Sequence, residues 1–547
     1  MRPIKLIIQT LSVLLTVSCV ETQKNDTEIT CRNKVTASND ITVVETEAGK
    51  VAGYLEDGIY IYKGIPYAEA ERFMPPHSPK SWDGIRSSRA YGPVCPQEKR
   101  LGWYSDEQAF AFDWDDGYAN ENCLRVNVWT SDVKEKRPVM VWLHGGGYSA
   151  GSGQELPAYD GAALCKKGDV VVVSLNHRLN VLGFLDLSAF GEKYAKSGNV
   201  GMLDLVAALK WVKNNIDQFG GDPENVTIFG QSGGGGKVST LMATPAASGL
   251  FQKAIVQSGS ILTTMEAGYS RKIGVATMEE LGLKASQIDE LSAVPYEKLL
   301  EAGNNAIKKI EVEAKNNGFN SLIFGWAPTV DGNVLPWQPF ETKAIEQSKE
   351  IPLLVGTTLH EFTASTYNPS IRNISMSGAK ATLEKKYGAN LSTFLNAFEK
   401  AYPNYQAKDL LDVDFIFRPA ALKHAALKYT QQGAPVYTYL FTWESPVLDG
   451  MFRSTHCMEL PFVFDNISRS KKMTGGGKAA YELAEKMSSA WISFAKNGNP
   501  NTGKLPHWEP FSIQKGATML FNEDCEVVYN HDKELMEVVN SFPTLQN

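Results

Sequence analysis

Apolar and polar positions change rhythm along the chain, and the changes separate three kinds of segment. Near the start, TVVETEAGKVAGY and IYIYKGIPYAE flank Glu56, Asp57 and Gly58, a polar turn with the glycine a tight reversal needs, and they predict an opening antiparallel pair. Farther on, the apolar runs become too continuous for a half-exposed sheet: Pro138 to Leu143, Val170 to Leu175, Val226 to Phe229, Ala254 to Val256, Ile351 to Val355 and Val436 to Trp443. Strands buried on both faces read this way, and helical patterns such as Leu203 to Ile216 lie between them. An α/β architecture follows, with a large, mostly parallel sheet covered by helices. Residues 262–350 and 372–430 are mainly helical in pattern and are expected to be insertions over one end of that sheet. No repeat or low-complexity block divides the chain, so residues 41–547 are expected to form one catalytic-sized domain.

The first residues follow a different logic. Arg2 and Lys5 precede an apolar run from Leu6 to Val17, the build of a secretory signal over residues 1–19. Leu15, Thr16, Val17 and Ser18 before Cys19 loosely resemble a bacterial lipobox, which would make a lipidated Cys19 the mature N-terminus. The alternative is cleavage a few residues later. Residues 20–40 are polar and read as a tether, and no other apolar stretch reaches the roughly 18 residues a membrane span needs. The expectation is therefore an exported protein, periplasmic, secreted or held at an outer membrane by lipid alone.

Cysteines stand at 19, 31, 95, 123, 165, 457 and 525; the odd count leaves six once Cys19 is modified, with pairing open. A net charge of -7 without any long Lys or Arg run excludes the electrostatic footprint of a nucleic-acid binder. Nothing in the sequence sets an oligomeric state.

The chemistry concentrates in NVTIFGQSGGGGKVSTLM, from Asn225 to Met242, where a β-rich run meets Gly230, Gln231, Ser232, Gly233 and Gly234 and then a helix-compatible segment. That is a G-x-S-x-G nucleophile elbow in the strand, turn and helix context it requires. A serine hydroxyl needs a base, and the base an orienting acid, both following the serine in chain order for this elbow. His360, His424, His456, His507 and His531 lie downstream of Ser232. The strand ending at Val355 leads into GTTLHEF and Glu361, and a histidine beyond a further strand selects His456 in STHCMELPFVF. His424 sits in a helical pattern where an ordinary surface or core role is expected, and His360 reads as a loop neighbour of the acid. His144, Gly145, Gly146, Gly147 and Tyr148 follow a buried strand and match an HGGG-type oxyanion loop, whose backbone N–H groups would meet a developing negative charge.

With these blocks, and KGIPYAEAERF, NENCLRVNVW, AIVQSGS and HCMELPFVF beside them, the chain resembles the type-B carboxylesterases, cholinesterase-like α/β-hydrolases, and most of all their bacterial para-nitrobenzyl-esterase-type members. The resemblance implies Ser232, Glu361 and His456 as a triad and Gly146, Gly147 and Gly233 as oxyanion donors. It also implies Ser258 as a serine hydrogen-bonded near the acid, and a Cys95–Cys123 disulfide closing a loop that carries Trp103, Tyr104, Phe110, Phe112 and Trp114. Three departures stand out: Gln231 where the family commonly has Glu, Gly233 where Ala is usual, and Cys457 where many members carry Gly. The implied activity is hydrolysis of neutral, small-molecule carboxylic esters through an acyl-enzyme on Ser232, without metal or cofactor. Rival readings are a specialised feruloyl, mycotoxin or polyester esterase, and a non-catalytic adhesion protein, against which the intact triad speaks.

Overall fold

A computed structural model of the chain describes residues 35–98, 105–316 and 325–542. The expected signal, Cys19, Cys31, Trp103 and Tyr104 lie outside the described residues.

Among the described residues, twelve strands form one mixed sheet. Its parallel centre runs, edge to edge, Val171–Leu175, Arg137–Leu143, Gly221–Gln231, Lys253–Gln257, Leu353–Thr358, Val436–Phe441 and Ala517–Phe521. Every residue of Val171–Leu175, Lys253–Gln257, Leu353–Thr358 and Val436–Phe441 is buried, as continuous apolar runs demand of strands covered on both faces. Antiparallel strands finish both edges. On one side these are Arg125–Thr130, Ile59–Pro66, Tyr54–Glu56 and Val35–Thr36, and on the other Glu526–Tyr529. The predicted turn at Asp57 and Gly58 joins Tyr54–Glu56 to Ile59–Pro66, with both residues at positive φ (50° and 83°), the backbone that matches strand twist in a two-residue hairpin.

Three expectations need correction. The first predicted strand is two: Val43–Thr46 pairs with Gly49–Ala52, which pairs in turn with Ile85–Ser87 in a separate sheet, because Glu47 and Ala48 make a reversal of their own. Residues 35–40 are not tether: Val35–Thr36 pairs antiparallel with Leu55 and Glu56, and Ser38 caps the short helix Asn39–Thr42, whose Thr42 is fully buried. Finally, helix Phe417–Thr430 is no insertion. It crosses over between the parallel strands Leu353–Thr358 and Val436–Phe441 and packs on both, burying Ala421 and Ala425.

The remainder of 372–430 behaves as expected of an insertion. Helices Met376–Tyr387 and Leu391–Ala401 form their own apolar cluster around Leu383, Phe394 and Phe398, closed by Leu535 and Met536 of the C-terminal helix Lys533–Ser541. Leu359, the first residue beyond its strand, packs on that cluster, which puts the insertion at the carboxyl end of the parallel sheet. In 262–350, helix Tyr296–Asn316 buries Leu299, Leu300, Gly303, Ala306, Ile307 and Ile310, one stripe at helical spacing.

Candidate functional site

Strand Gly221–Gln231 ends directly beneath helix Gly233–Met242, and Ser232 is the single residue between them. Its backbone sits at φ 57° and ψ -127°, a conformation that costs on the order of 1–3 kcal/mol and persists only where the surroundings impose it. They do so with hydrogen bonds on both sides: the Ser232 N–H donates to Gln257 O (2.9 Å), and its carbonyl accepts from Gly236 N–H (3.0 Å). The turn is too tight for side chains. A Cβ on Gly234 would lie 1.9 Å from Leu143 O, and one on Gly233 would lie 2.2–2.5 Å from the carbonyl oxygen, Cα and nitrogen of Gly147.

That second contact sets the glycine loop against the elbow. Gly146 and Gly147 turn at φ 81° and 62°, and Gly146 O accepts from Ala150 N–H at 3.0 Å. Among the described residues, the N–H groups of Gly146, Gly147 and Gly233 donate to no protein acceptor. The two loop glycines are exposed, whereas His144 behind them is buried.

Glu361 follows the strand Leu353–Thr358 by three residues and is fully buried; Thr358 N–H donates to its Oε1 at 2.9 Å. Its Oε2 contacts Nδ1 of His456. The loop carrying His456 is stitched to the Glu361 loop by its main chain as well, with His456 N–H donating to Glu361 O (2.8 Å) and Thr455 Oγ1 to the same oxygen (3.0 Å). His360, expected to be a bystander, tightens the same seam, its Nδ1 lying 2.7 Å from Ser454 Oγ. Arg453 anchors the far side through Asp409 (2.6 Å), Asp412 (3.3 Å) and Glu444 (2.7 Å). Phe362, half of it exposed, stacks on the imidazole at 4.8 Å between ring centres, and Phe417 lies at 5.3 Å. Burial alone would lower the pKa of His456, but the charge and hydrogen bond of Glu361 outweigh it, and the net shift is upward.

Two further acids share this pocket. Burial and the Glu361 charge raise Asp414 from 3.8 to about 7 and Glu459 from 4.5 to about 7. Asp414 accepts N–H bonds from Ile416, Phe417 and Arg418, while Glu459 receives one from Gln257 Nε2 at 3.1 Å. Gln231 is fully buried, with Nε2 3.3 Å from each ring nitrogen of His456, and Cys457 Sγ donates to its Oε1 at 3.1 Å. Burial pushes the Cys457 thiol up, so it stays protonated and fixes which end of the amide faces the imidazole.

One expectation fails here. Ser258 is buried at φ 47°, and its N–H donates to Gly356 O (2.8 Å), but its Oγ has no hydrogen-bond partner among the described residues. It is held by its backbone rather than by the acid. Cys95 and Cys123 are both buried and unlinked in this structure. His424 is a core residue, 3.1 Å from Ser260 Oγ and edge-on to Phe340.

The folded pKa values of Asp414 and Glu459 exceed their unfolded ones, so the folded state keeps protons that the unfolded chain releases. Their contribution to stability is greatest in acid and is lost as pH rises to about 7, from 3.8 for Asp414 and from 4.5 for Glu459. Glu459→Gln, which cannot ionise, is expected to flatten the fall of the unfolding temperature across that window; a pH profile identical to the parent chain would refute the assignment.

A serine in a strained turn, donors without acceptors beside it and an imidazole–carboxylate pair at the ends of neighbouring parallel strands are the parts of an acyl-transfer site. Comparison with known proteins agrees. The family model described as "Carboxylesterase family" matches residues 40–537. Para-nitrobenzyl esterase of Bacillus subtilis (strain 168) is 37% identical over 510 residues, 92% of this chain and 99% of that protein. Fumonisin B1 esterase of Sphingopyxis macrogoltabida is 32% identical, covering 88% of this chain and 86% of its own. A solved esterase from Clostridium hathewayi, described as able to hydrolyze aliphatic aromatic polyesters, superposes with a TM-score of 0.81 at 36% identity over 93% of this chain and 100% of its own. The chain thus belongs to the carboxylesterase family and is a carboxylic ester hydrolase of the α/β-hydrolase fold.

Proposed function

We propose that the protein hydrolyses neutral, moderately apolar carboxylic esters through an acyl-enzyme on Ser232. The observation that carries this reading is the contact of buried Glu361 with His456 Nδ1, which leaves Nε2 as the nitrogen able to take the Ser232 proton. Ser232 Oγ attacks the ester carbon, His456 receives its proton and passes it to the departing alcohol, and water repeats the sequence on the acyl-enzyme. Gly146, Gly147 and Gly233 N–H groups receive the negative charge that builds on the carbonyl oxygen. An organophosphonate probe is expected to label Ser232 alone, and Ser232→Ala or His456→Ala to cut turnover by at least roughly a thousandfold. Label on another residue would overturn the assignment.

Substrate charge is set by what surrounds the imidazole. Gln231 brings no charge to a place where the family commonly holds a carboxylate, and the exposed ring of Phe362 offers an apolar face to an acyl or alcohol group. Cation–π attraction to such rings, worth about 0.5–2 kcal/mol, gives a quaternary ammonium little over a neutral group of equal size. Below the pH at which Asp414 and Glu459 ionise, catalytic efficiency on a neutral butyrate ester is expected to exceed that on butyrylcholine. A choline preference that weakens with salt would refute it.

The location proposed is outside the cytoplasm, with the signal over residues 1–19 and lipidation at Cys19. An oxidising compartment would then join Cys95 to Cys123, closing a loop of roughly 30 residues and stabilising the fold by about 3–4 kcal/mol. Non-reducing peptide mapping of exported protein is expected to recover that crosslink and an N-terminal peptide starting at modified Cys19. Free thiols at both positions would defeat the pairing, and a different N-terminus the lipidation.

A further inference from the structure

Lys237 is the anomaly of the elbow helix. It lies one turn beyond Ser232, is fully buried, and has no carboxylate within 4 Å among the described residues. Burying an amine is costly unless its hydrogens are used. Here Nζ donates to the carbonyl of His144 at 2.9 Å, and it lies 5.9 Å from the ring centre of Tyr148. Three residues later on the same helix, Thr240 Oγ1 is 3.3 Å from the Tyr148 hydroxyl. His144 and Tyr148 are the residues on either side of Gly145, Gly146 and Gly147.

Helix Gly233–Met242 thus holds the glycine loop at both ends. Glycine backbones have wide conformational freedom, so a run of three would not keep its N–H groups aimed without anchors outside it. We infer that Lys237 is a positioning residue for the reaction: by binding the His144 carbonyl, it fixes the peptides of Gly146 and Gly147 relative to Ser232, so that their N–H groups converge on the reacting carbonyl oxygen. This rests on the reading of those glycines as oxyanion donors. Burial draws the Lys237 amine down to about 7, opposed by the charge of Glu155, while burial and the Lys237 charge hold the facing His144 and His177 well below their usual range. The bond to His144 survives either protonation state, since amine and ammonium both donate.

The test compares Lys237→Met with the full-length wild type. Methionine fills the space without a donor and removes the burial cost, so the unfolding temperature is expected to hold or rise. The kcat for para-nitrophenyl butyrate is expected to fall by at least about tenfold, with KM within about twofold, and the affinity of a trifluoromethyl ketone to fall by the same factor as kcat/KM. Tyr148→Phe, which releases the other anchor, should show the same pattern more weakly. Unchanged kcat, or a loss confined to KM or to the folded fraction, overturns the inference. If the Met variant does not fold, Lys237→Gln, one bond too short to reach His144, is measured in the same way; failure of both to fold makes the residue structural and also overturns it. A wild type that is not labelled at Ser232 and cleaves no ester would instead defeat the functional reading.

Discussion

A carboxylate without solvent must be compensated from every side, and at Glu361 that requirement organises the surrounding loops. Its side chain takes Thr358 N–H and the His456 imidazole, while its carbonyl takes the N–H of His456 and the hydroxyl of Thr455. Those bonds need the carboxyl ends of strands Leu353–Thr358 and Val436–Phe441 in one register, which pairs Thr358 with Phe441. The crossover helix Phe417–Thr430 supplies Phe417 in its first turn and Asp414 just before it, and Arg453 ties the histidine loop to the insertion through Asp409 and Asp412. One buried charge thereby connects two strands, a crossover and an inserted segment.

The serine side of the site is built on different physics. Its tolerance comes from the absence of atoms: Gly233 and Gly234 let the helix start inside the contact distance of the preceding strand and of the glycine loop. The imidazole side is held by polar bonds, and the serine side adds steric fit to the hydrogen bonds of Ser232 and Lys237. Gln231, fixed by the Cys457 thiol, is where the two meet.

Much of this was legible in the sequence because it is written in spacing. The elbow, the HGGG run and the order of acid and histidine selected Ser232, Glu361 and His456, and continuous Val, Ile and Leu runs marked the central strands. What escaped depends on burial, which spacing does not carry. Lysine within a helical segment looks solvated, so nothing in the sequence marks Lys237 as buried. Glu459 and Asp414 looked like any acid, and His360 like a loop residue, since only the folded chain brings Ser454 to it. The sequence of helix Phe417–Thr430 is as helical as that of the insertions, and only the strands on both sides of it show that it is a crossover. Residues 35–40 read as polar, like a tether, yet Val35 and Thr36 complete an edge through backbone bonds, to which side-chain polarity is irrelevant.

The approach of Gly233 to the backbone of Gly147 has a historical side. A methyl group at 233 would overlap three main-chain atoms of the glycine loop, so the alanine usual in the family cannot enter this chain until that loop has withdrawn. A withdrawn loop, with glycine still at 233, would leave a gap where close packing now holds the donors. Each state is thus compatible with its own partner and unfavourable with the other's, which is the condition for epistasis. Sequences on the two sides would drift apart without exchanging the residue, and a library that samples position 233 alone would miss the combinations in which the loop and the turn change together.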